Sequence, residues 1–122
     1  ARSVARVQSV LSHGGEVDGV QVLSPAGCDI VFEQQSNGPD LVLQAPLTLG
    51  MGYGISSEEM PIGPNQRTCF WGGWGGSIVV NDLENRLTIA YVMNRMGEGT
   101  MGDDRGIGVV FAAYAAVLGA TG

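Results

Sequence analysis

Two runs of strand-forming residues separated by a short polar turn constrain the fold more than any other feature of this sequence. Residues 77–81 and 86–94 are rich in valine, isoleucine, threonine and tyrosine, and only residues 82–85 stand between them. Runs of this kind joined by about four polar residues are typical of an antiparallel hairpin. The sequence therefore predicts two adjacent, paired strands in the second half of the chain.

A helical pattern follows the predicted hairpin. Residues 104–118 begin with an acidic residue, which is favourable at the N-terminal end of a helix. The apolar residues of this segment recur at helical spacing and form one stripe: Ile107, Val110, Phe111, Tyr114, Val117 and Leu118. This amphipathic pattern predicts a helix that lies on one face of the sheet.

The first half of the chain is predicted to begin with two helices. Residues 3–12 carry apolar side chains at helical spacing before a glycine pair, and a Ser-Pro pair marks the start of a second helix over residues 25–35. The inward residues are Val4, Val7 and Leu11 in the first helix and Cys28, Val31 and Phe32 in the second.

A strand is expected to follow these helices. Residues 36–48 contain Asn-Gly-Pro-Asp and Ala-Pro, and are predicted to be mostly loop. Residues 49–55 alternate large apolar residues with glycine, which predicts a strand pressed against other backbone. The fold class is therefore α+β, an antiparallel sheet of at least three strands with a C-terminal helix packed on one face.

Size and charge exclude several classes of protein. A chain of 122 residues allows one domain, and its net charge of −6, with six arginines and no lysine, disfavours binding to nucleic acid or to an anionic membrane surface. The apolar run over residues 109–118 is about half of the ~20 residues that a membrane span needs. We therefore expect neither nucleic acid nor membrane as a partner.

The two cysteines also bear on the class of protein. Cys28 and Cys69 form neither a disulfide framework nor a Cys/His zinc pattern, so we expect buried free thiols in a cytoplasmic protein that holds no metal. The chain starts at Ala1 without a secretion leader, and we interpret this start as a cut end.

The segment Trp71-Gly72-Gly73-Trp74-Gly75-Gly76 is the strongest candidate for a functional site. Glycines within a strand cost conformational entropy and usually mark a place where a ligand or another backbone approaches closely. Two interpretations follow from the residues alone. The segment is a strand edge that lines a cleft, or it is a glycine-rich strand packed beneath the final helix.

A resemblance to a known family favours the cleft. Residues 70–96, FWGGWGGSIVVNDLENRLTIAYVMNRM, resemble the C-terminal strand pair of the serine β-lactamase-like superfamily, in particular family VIII carboxylesterases and class C β-lactamases. Residues 9–24 resemble the helix and turn that precede the last part of that fold. Residues 50–54 resemble its first C-terminal strand, and the alanine-rich end resembles its final helix.

The resemblance implies a hydrolase that attacks an ester or amide with a serine through an acyl-enzyme. We expect a carboxylesterase that acts on short acyl esters, without a cofactor. Trp71-Gly72-Gly73 matches the W-G-G triplet that replaces K-T-G in the esterases. By that match, the backbone N–H of Trp74 is one of two oxyanion-hole donors. Trp71, Gly72, Gly73 and Gly75 would then border the substrate, with the glycines keeping the strand edge clear.

The sequence also departs from the family pattern. Without lysine there is no S-x-x-K motif, and none of the three tyrosines stands in Y-x-N or Y-x-S. His13 is interpreted as a helix-end residue rather than a member of a Ser/His/Asp triad. We therefore expect residues 1–122 to be the C-terminal segment of a longer enzyme and to be inactive alone. The alternative is a small non-catalytic module that binds a partner or an apolar ligand through its two tryptophans.

Two further patterns are interpreted as structural. Residues 97–102 fit G-x-G-x-x-G, but the chain ends before the acidic residue that a dinucleotide site would need about 20 positions later, so a loop is predicted. The acidic pairs at residues 58–59 and 103–104 lack calcium-loop spacing and are expected to be solvated or to lie at a helix N-terminus.

Overall fold

A six-stranded antiparallel sheet with helices on both faces forms the body of the protein. The computed structural model describes residues 1–120, and its sheet has the order β3-β4-β5-β6-β7-β8, with β1 and β2 in a separate small hairpin. The strands are β1 Glu16–Val17, β2 Val20–Gln21, β3 Ser36–Pro39, β4 Pro46–Leu49, β5 Gly54–Ile55, β6 Thr68–Gly72, β7 Ile78–Asp82 and β8 Leu87–Tyr91. The helices are α1 Arg2–Ser12, α2 Pro25–Asp29 and α3 Asp104–Ala120. The α+β fold class is confirmed.

The predicted C-terminal hairpin is present as β7 and β8. These strands pair from Ile78↔Tyr91 to Asp82↔Leu87. Because side chains alternate between the faces of a strand, Val80 and Ile89 point towards α3 while Asn81 points towards α1. The α3 face is the main apolar core. Its buried members are Leu47, Phe70, Ile78, Val80, Ile89, Val110 and Tyr114.

The two long helices differ from their predicted apolar stripes. In α3, Val110 and Tyr114 are buried against the sheet, as predicted, but Phe111 is 65% exposed. In α1, Leu11 is buried while Val7 is 69% exposed. The buried row of each helix is therefore narrower than its predicted stripe: in α3, Ile107 is half-buried against the core, whereas Phe111 in α3 and Val7 in α1 face outward.

The second helix is shorter than the predicted segment 25–35. α2 ends at Asp29 and continues as one 3-10 turn over Ile30–Phe32. The N–H of Gln35 then donates to the carbonyl oxygen of Leu49 at 2.7 Å. The chain leaves the helix early because its next residues begin to pair with the sheet.

Residues 36–48 contain a hairpin rather than the predicted loop. β3 and β4 pair from Ser36↔Leu49 to Pro39↔Pro46. The two prolines stand opposite each other where the ladder ends, and β3 is the outermost strand of the sheet. A missing proline N–H therefore removes no hydrogen bond from the interior of the sheet.

Only the ends of the predicted strand over residues 49–55 are extended. Leu49 ends β4 and β5 begins at Gly54, and between them the chain bends. The N–H of Gly50 donates to the carbonyl oxygen of Tyr53 at 2.9 Å, and Gly52 has a φ of +81°. A continuous strand is wrong here because this left-handed glycine reverses the chain.

The predicted strand over residues 71–76 is also wrong beyond Gly72. β6 ends there, and Gly75 has a φ of +104°, which an extended strand excludes. The remaining residues form the turn to β7. The pairing of β5 with β6 stops at Phe70, so within residues 1–120 no strand lies beside Trp71 on that side. A free strand edge therefore exists, but it is only two residues long.

Candidate active site

An open cleft lies where β6 and β8 end and β7 begins, beside the first turns of α1. Its volume is about 490 Å³. Trp71, Gly72 and Gly73 border it, together with residues that sequence reasoning did not select: Val4, Gln8, Gly52, Tyr53, Ser77, Ile78, Val79, Tyr91 and Val92. The structure thus brings three of the five predicted site residues to one mostly apolar concave surface.

The turn after β6 holds the other two predicted residues, Trp74 and Gly75. The N–H of Gly73 donates to Ser77 O at 2.9 Å, and the N–H of Gly76 donates to Gly73 O at 3.2 Å, which closes a four-residue turn. Within residues 1–120 the N–H of Trp74 has no hydrogen-bond acceptor. The Trp74 residue is 69% exposed. An exposed amide without an acceptor in residues 1–120 therefore stands in a hydrogen-bonded turn, next to Gly73, which borders the cleft.

Gly72 and Gly73 have different surroundings. A Cβ atom at Gly72 would lie 2.5 Å from the carbonyl carbon of Met101 and 2.9 Å from the nitrogen of Gly102. A Cβ atom at Gly73 would have nothing within 4 Å, and the φ of Gly73 lies outside the left-handed region. Close packing therefore explains a glycine at position 72, whereas the structure of this chain leaves position 73 open.

A line of part-buried hydrogen bonds ties one wall of the cleft to α1. The Tyr53 hydroxyl and the Asn81 side-chain amide both donate to Gln8 Oε1, at 2.8 and 2.9 Å. Thr88 Oγ1 donates to Asn81 Oδ1 at 2.9 Å and lies 2.8 Å from Ser12 Oγ. The only local signal for this network is a polar residue at an otherwise apolar strand position, Asn81. Burial raises the pKa of Tyr53, so its hydroxyl stays protonated as a donor.

Residues 1–120 provide no accessible serine that is paired with a histidine base and an acidic partner. Ser12 Oγ lies 3.0 Å from His13 Nδ1, but Ser12 is only 2% exposed. The His13 ring nitrogen also lies 3.0 Å from Ser9 O, so His13 caps the end of α1, as predicted. No Asp or Glu in the described part of the chain hydrogen-bonds to the His13 ring.

The cysteines are equally unreactive. Cys28 and Cys69 are both free and buried, as predicted. Burial raises the pKa of Cys69 to about 12 and also raises the pKa of Cys28. Both thiols are therefore protonated near neutral pH and cannot act as nucleophiles.

The described residues contain neither a metal-binding cluster nor a helix that could span a membrane. Residues 1–120 contain no group of three or more His, Cys, Asp or Glu side chains that could hold a metal ion. No helix within this range combines the length and the apolarity that crossing a membrane requires.

Comparison with known proteins defines the class to which this fold and cleft belong. The family model described as Beta-lactamase matches residues 1–113, so the chain belongs to the beta-lactamase family. The esterase/beta-lactamase LipL of Mycobacterium tuberculosis is 34% identical over 97 residues, which cover 79% of this chain and 22% of LipL.

Two solved structures share the fold. A penicillin-binding protein homologue from Caulobacter crescentus superposes with a TM-score of 0.87 at 34% identity, over 93% of this chain and 31% of that one. A family VIII carboxylesterase superposes with a TM-score of 0.82 at 30% identity, over 91% of this chain and 30% of that one. The chain therefore spans less than a third of the length of these relatives, and its resemblance to the serine β-lactamase-like superfamily is confirmed.

Proposed function

We propose that this chain is the C-terminal segment of a serine hydrolase that cleaves small carboxylic esters through an acyl-serine intermediate. The nucleophilic serine and its base belong to another part of that polypeptide, which we call the longer enzyme. The Trp74 N–H is one oxyanion-hole donor. Trp71, Gly72, Gly73 and Gly75 form the border along which the acyl group lies. The reaction needs no metal and no organic cofactor.

One observation carries the proposal: within residues 1–120 the Trp74 amide has no hydrogen-bond acceptor, and it stands in a hydrogen-bonded turn beside an open cleft. An oxyanion donor must be held in place before the reaction and must have no competing acceptor in the protein. When a serine oxygen adds to an ester carbonyl, the carbonyl oxygen becomes negative and an amide in this position stabilises it. The open space at Gly73 leaves room for the acyl chain.

Two exposed surfaces support the proposal that further polypeptide packs against this chain. β8 is the last strand of the sheet, and within residues 1–120 its outer edge pairs with no strand. Exposed strand edges of this kind are normally covered or paired. On α3, Phe111 and Val109 are 65% and 42% exposed. We propose that the remainder of the longer enzyme covers both surfaces.

The isolated 122-residue chain is expected to be inactive, because it contains no S-x-x-K motif. Neither hydrolysis of p-nitrophenyl acetate above the buffer rate nor covalent labelling by a fluorophosphonate should be detectable. The longer enzyme should show both, and its matched control, with the S-x-x-K serine changed to alanine, should show neither. Turnover together with labelling of the isolated chain would overturn the proposal. A longer enzyme that binds apolar ligands without hydrolysing esters would favour the non-catalytic binding module instead.

A further inference from the structure

The glycine-rich segment 97–102 lies directly against the turn that follows β6. The N–H of Gly75 donates to Gly99 O at 2.8 Å, and the N–H of Gly97 donates to Gly75 O at 2.8 Å. Both polar backbone atoms of Gly75 are therefore bonded to this segment. As predicted, residues 97–102 are a loop, and their contacts show what the loop does: it holds the neighbouring turn from outside.

Arg105, at the start of α3, adds a charged contact to the same turn. Its Nη2 donates to Gly75 O at 3.0 Å and its Nη1 donates to Arg95 O at 2.9 Å. Asp103 accepts from Nε and Nη2 of the same guanidinium, which fixes its plane. Arg105 lowers the pKa of Asp103, so this carboxylate stays ionised near neutral pH. One planar side chain thus bridges two separate backbone segments.

The turn needs such outside support. Gly75 adopts a φ of +104°, and glycine has more conformational freedom than any other residue. An oxyanion donor is effective only if it does not have to reorganise during the reaction. Hydrogen bonds from a charged guanidinium are stronger than those between neutral groups. The two nitrogens of the Arg105 guanidinium also reach two different carbonyl oxygens from one rigid plane, which the single nitrogen of a lysine ammonium does not reproduce.

We infer that Arg105 is a positioning residue for the oxyanion hole: by holding Gly75 O it fixes the turn that presents the Trp74 amide to the cleft. The inference rests on the proposed function and extends it to a residue outside the W-G-G segment. Arg105 touches no reacting atom, so its loss should weaken stabilisation of the transition state without weakening binding of the ester itself.

The test compares Arg105→Ala and Arg105→Lys with the unchanged longer enzyme. We expect Arg105→Ala to lower kcat at least about tenfold and to leave KM unchanged. This loss is smaller than the loss expected when an oxyanion donor is removed altogether, because the Trp74 amide is still present. Inactivation by a fluorophosphonate should slow by a similar factor. Arg105→Lys should recover little of the loss, whereas added ethylguanidinium should partly restore the kcat of Arg105→Ala.

Arg67→Ala is the matched control, because Arg67 also forms an exposed pair with an aspartate, Asp29, and it precedes β6, at the opposite end of that strand from the turn. It should leave kcat unchanged. If Arg105→Ala keeps kcat and the inactivation rate in an active enzyme, or if ethylguanidinium restores nothing, this inference fails and the proposed function stands. If the unchanged longer enzyme does not hydrolyse esters, both fail. Should Arg105→Ala not fold, Arg105→Lys decides, and full kcat in that variant would overturn the inference.

Discussion

Replacing Gly73 by valine in the longer enzyme is expected to lower kcat by about 10²–10³-fold, the range found when an oxyanion-hole donor is lost. The melting temperature should change little, because a Cβ atom at position 73 meets nothing within 4 Å in this chain and the backbone there is not left-handed. The new side chain would project into the open space beside the cleft, where the acyl group is proposed to lie. It would also disturb the adjoining Trp74 amide.

Gly72→Ala is the comparison for stability, because a Cβ atom at position 72 meets backbone rather than open space. Its methyl group would stand 2.5 Å from the Met101 carbonyl carbon, so the backbone must shift. Overpacking of this kind typically costs about 1–3 kcal/mol of folding free energy. The measurement for both variants is kcat per titrated active site together with the melting temperature. If Gly73→Val lowers the melting temperature sharply and keeps kcat per site, the glycine serves packing and the W-G-G segment is not the acyl border.

Among the substitutions proposed for this protein, Asp82→Ala is expected to cause the largest loss of unfolding free energy. Asp82 is fully buried, and its carboxylate accepts hydrogen bonds from Asn65 and Asn85 side chains, from the Tyr114 hydroxyl, and from the backbone amides of Glu84 and Asn85, at 2.8 to 3.1 Å. These bonds join the turn after β7, the loop before β6 and α3. Removing the acceptor leaves the buried Tyr114 hydroxyl and several part-buried donors without a partner, at about 1–3 kcal/mol each where water cannot enter, so we expect a loss of at least about 3 kcal/mol.

Asp40→Ala is the matched control for this prediction. Asp40 Oδ1 accepts two backbone N–H groups, from Val42 and Leu43, at the tip of the β3–β4 hairpin. This tip is near the surface, so water can replace the lost acceptor and the cost should be about 1 kcal/mol, as for other capping side chains. Urea denaturation of the purified longer enzyme, followed by circular dichroism, measures both variants. Equal shifts of the two midpoints would contradict the assigned role of Asp82.

The fold was easiest to predict from the sequence where the local residue pattern agrees with the strand pairing that the structure shows. The β7–β8 hairpin was predictable because two alternating runs face each other across a polar turn that Asp82 itself organises. The β3–β4 hairpin was not, because Pro39 and Pro46 are typical of loops and only their place at the end of the ladder makes them compatible with a sheet. In the W-G-G-W-G-G segment, composition predicted close approach, but left-handed glycines ended the strand after Gly72.

The candidate site was predictable only in part, for a similar reason. Trp71, Gly72 and Gly73 border the cleft, as the family resemblance of the W-G-G triplet implied, whereas the residues alone left a packed strand equally open. The contacts of Arg105 with Gly75 and of Gln8 with Asn81 join residues 30 and 73 positions apart, and no local pattern encodes them. Such contacts depend on how the elements pack, so only the structure reveals them.

The most direct test of the account is a crystal structure of the longer enzyme whose nucleophilic serine has reacted with a phosphonate ester. A phosphonyl oxygen stands where the oxyanion forms during ester cleavage. One such oxygen should lie about 2.7–3.1 Å from the Trp74 backbone nitrogen, the distance expected of an oxyanion-hole donor. If that nitrogen instead donates to an acceptor within the protein, or lies beyond hydrogen-bonding distance of every phosphonyl oxygen, the assignment of Trp74 to the oxyanion hole is wrong.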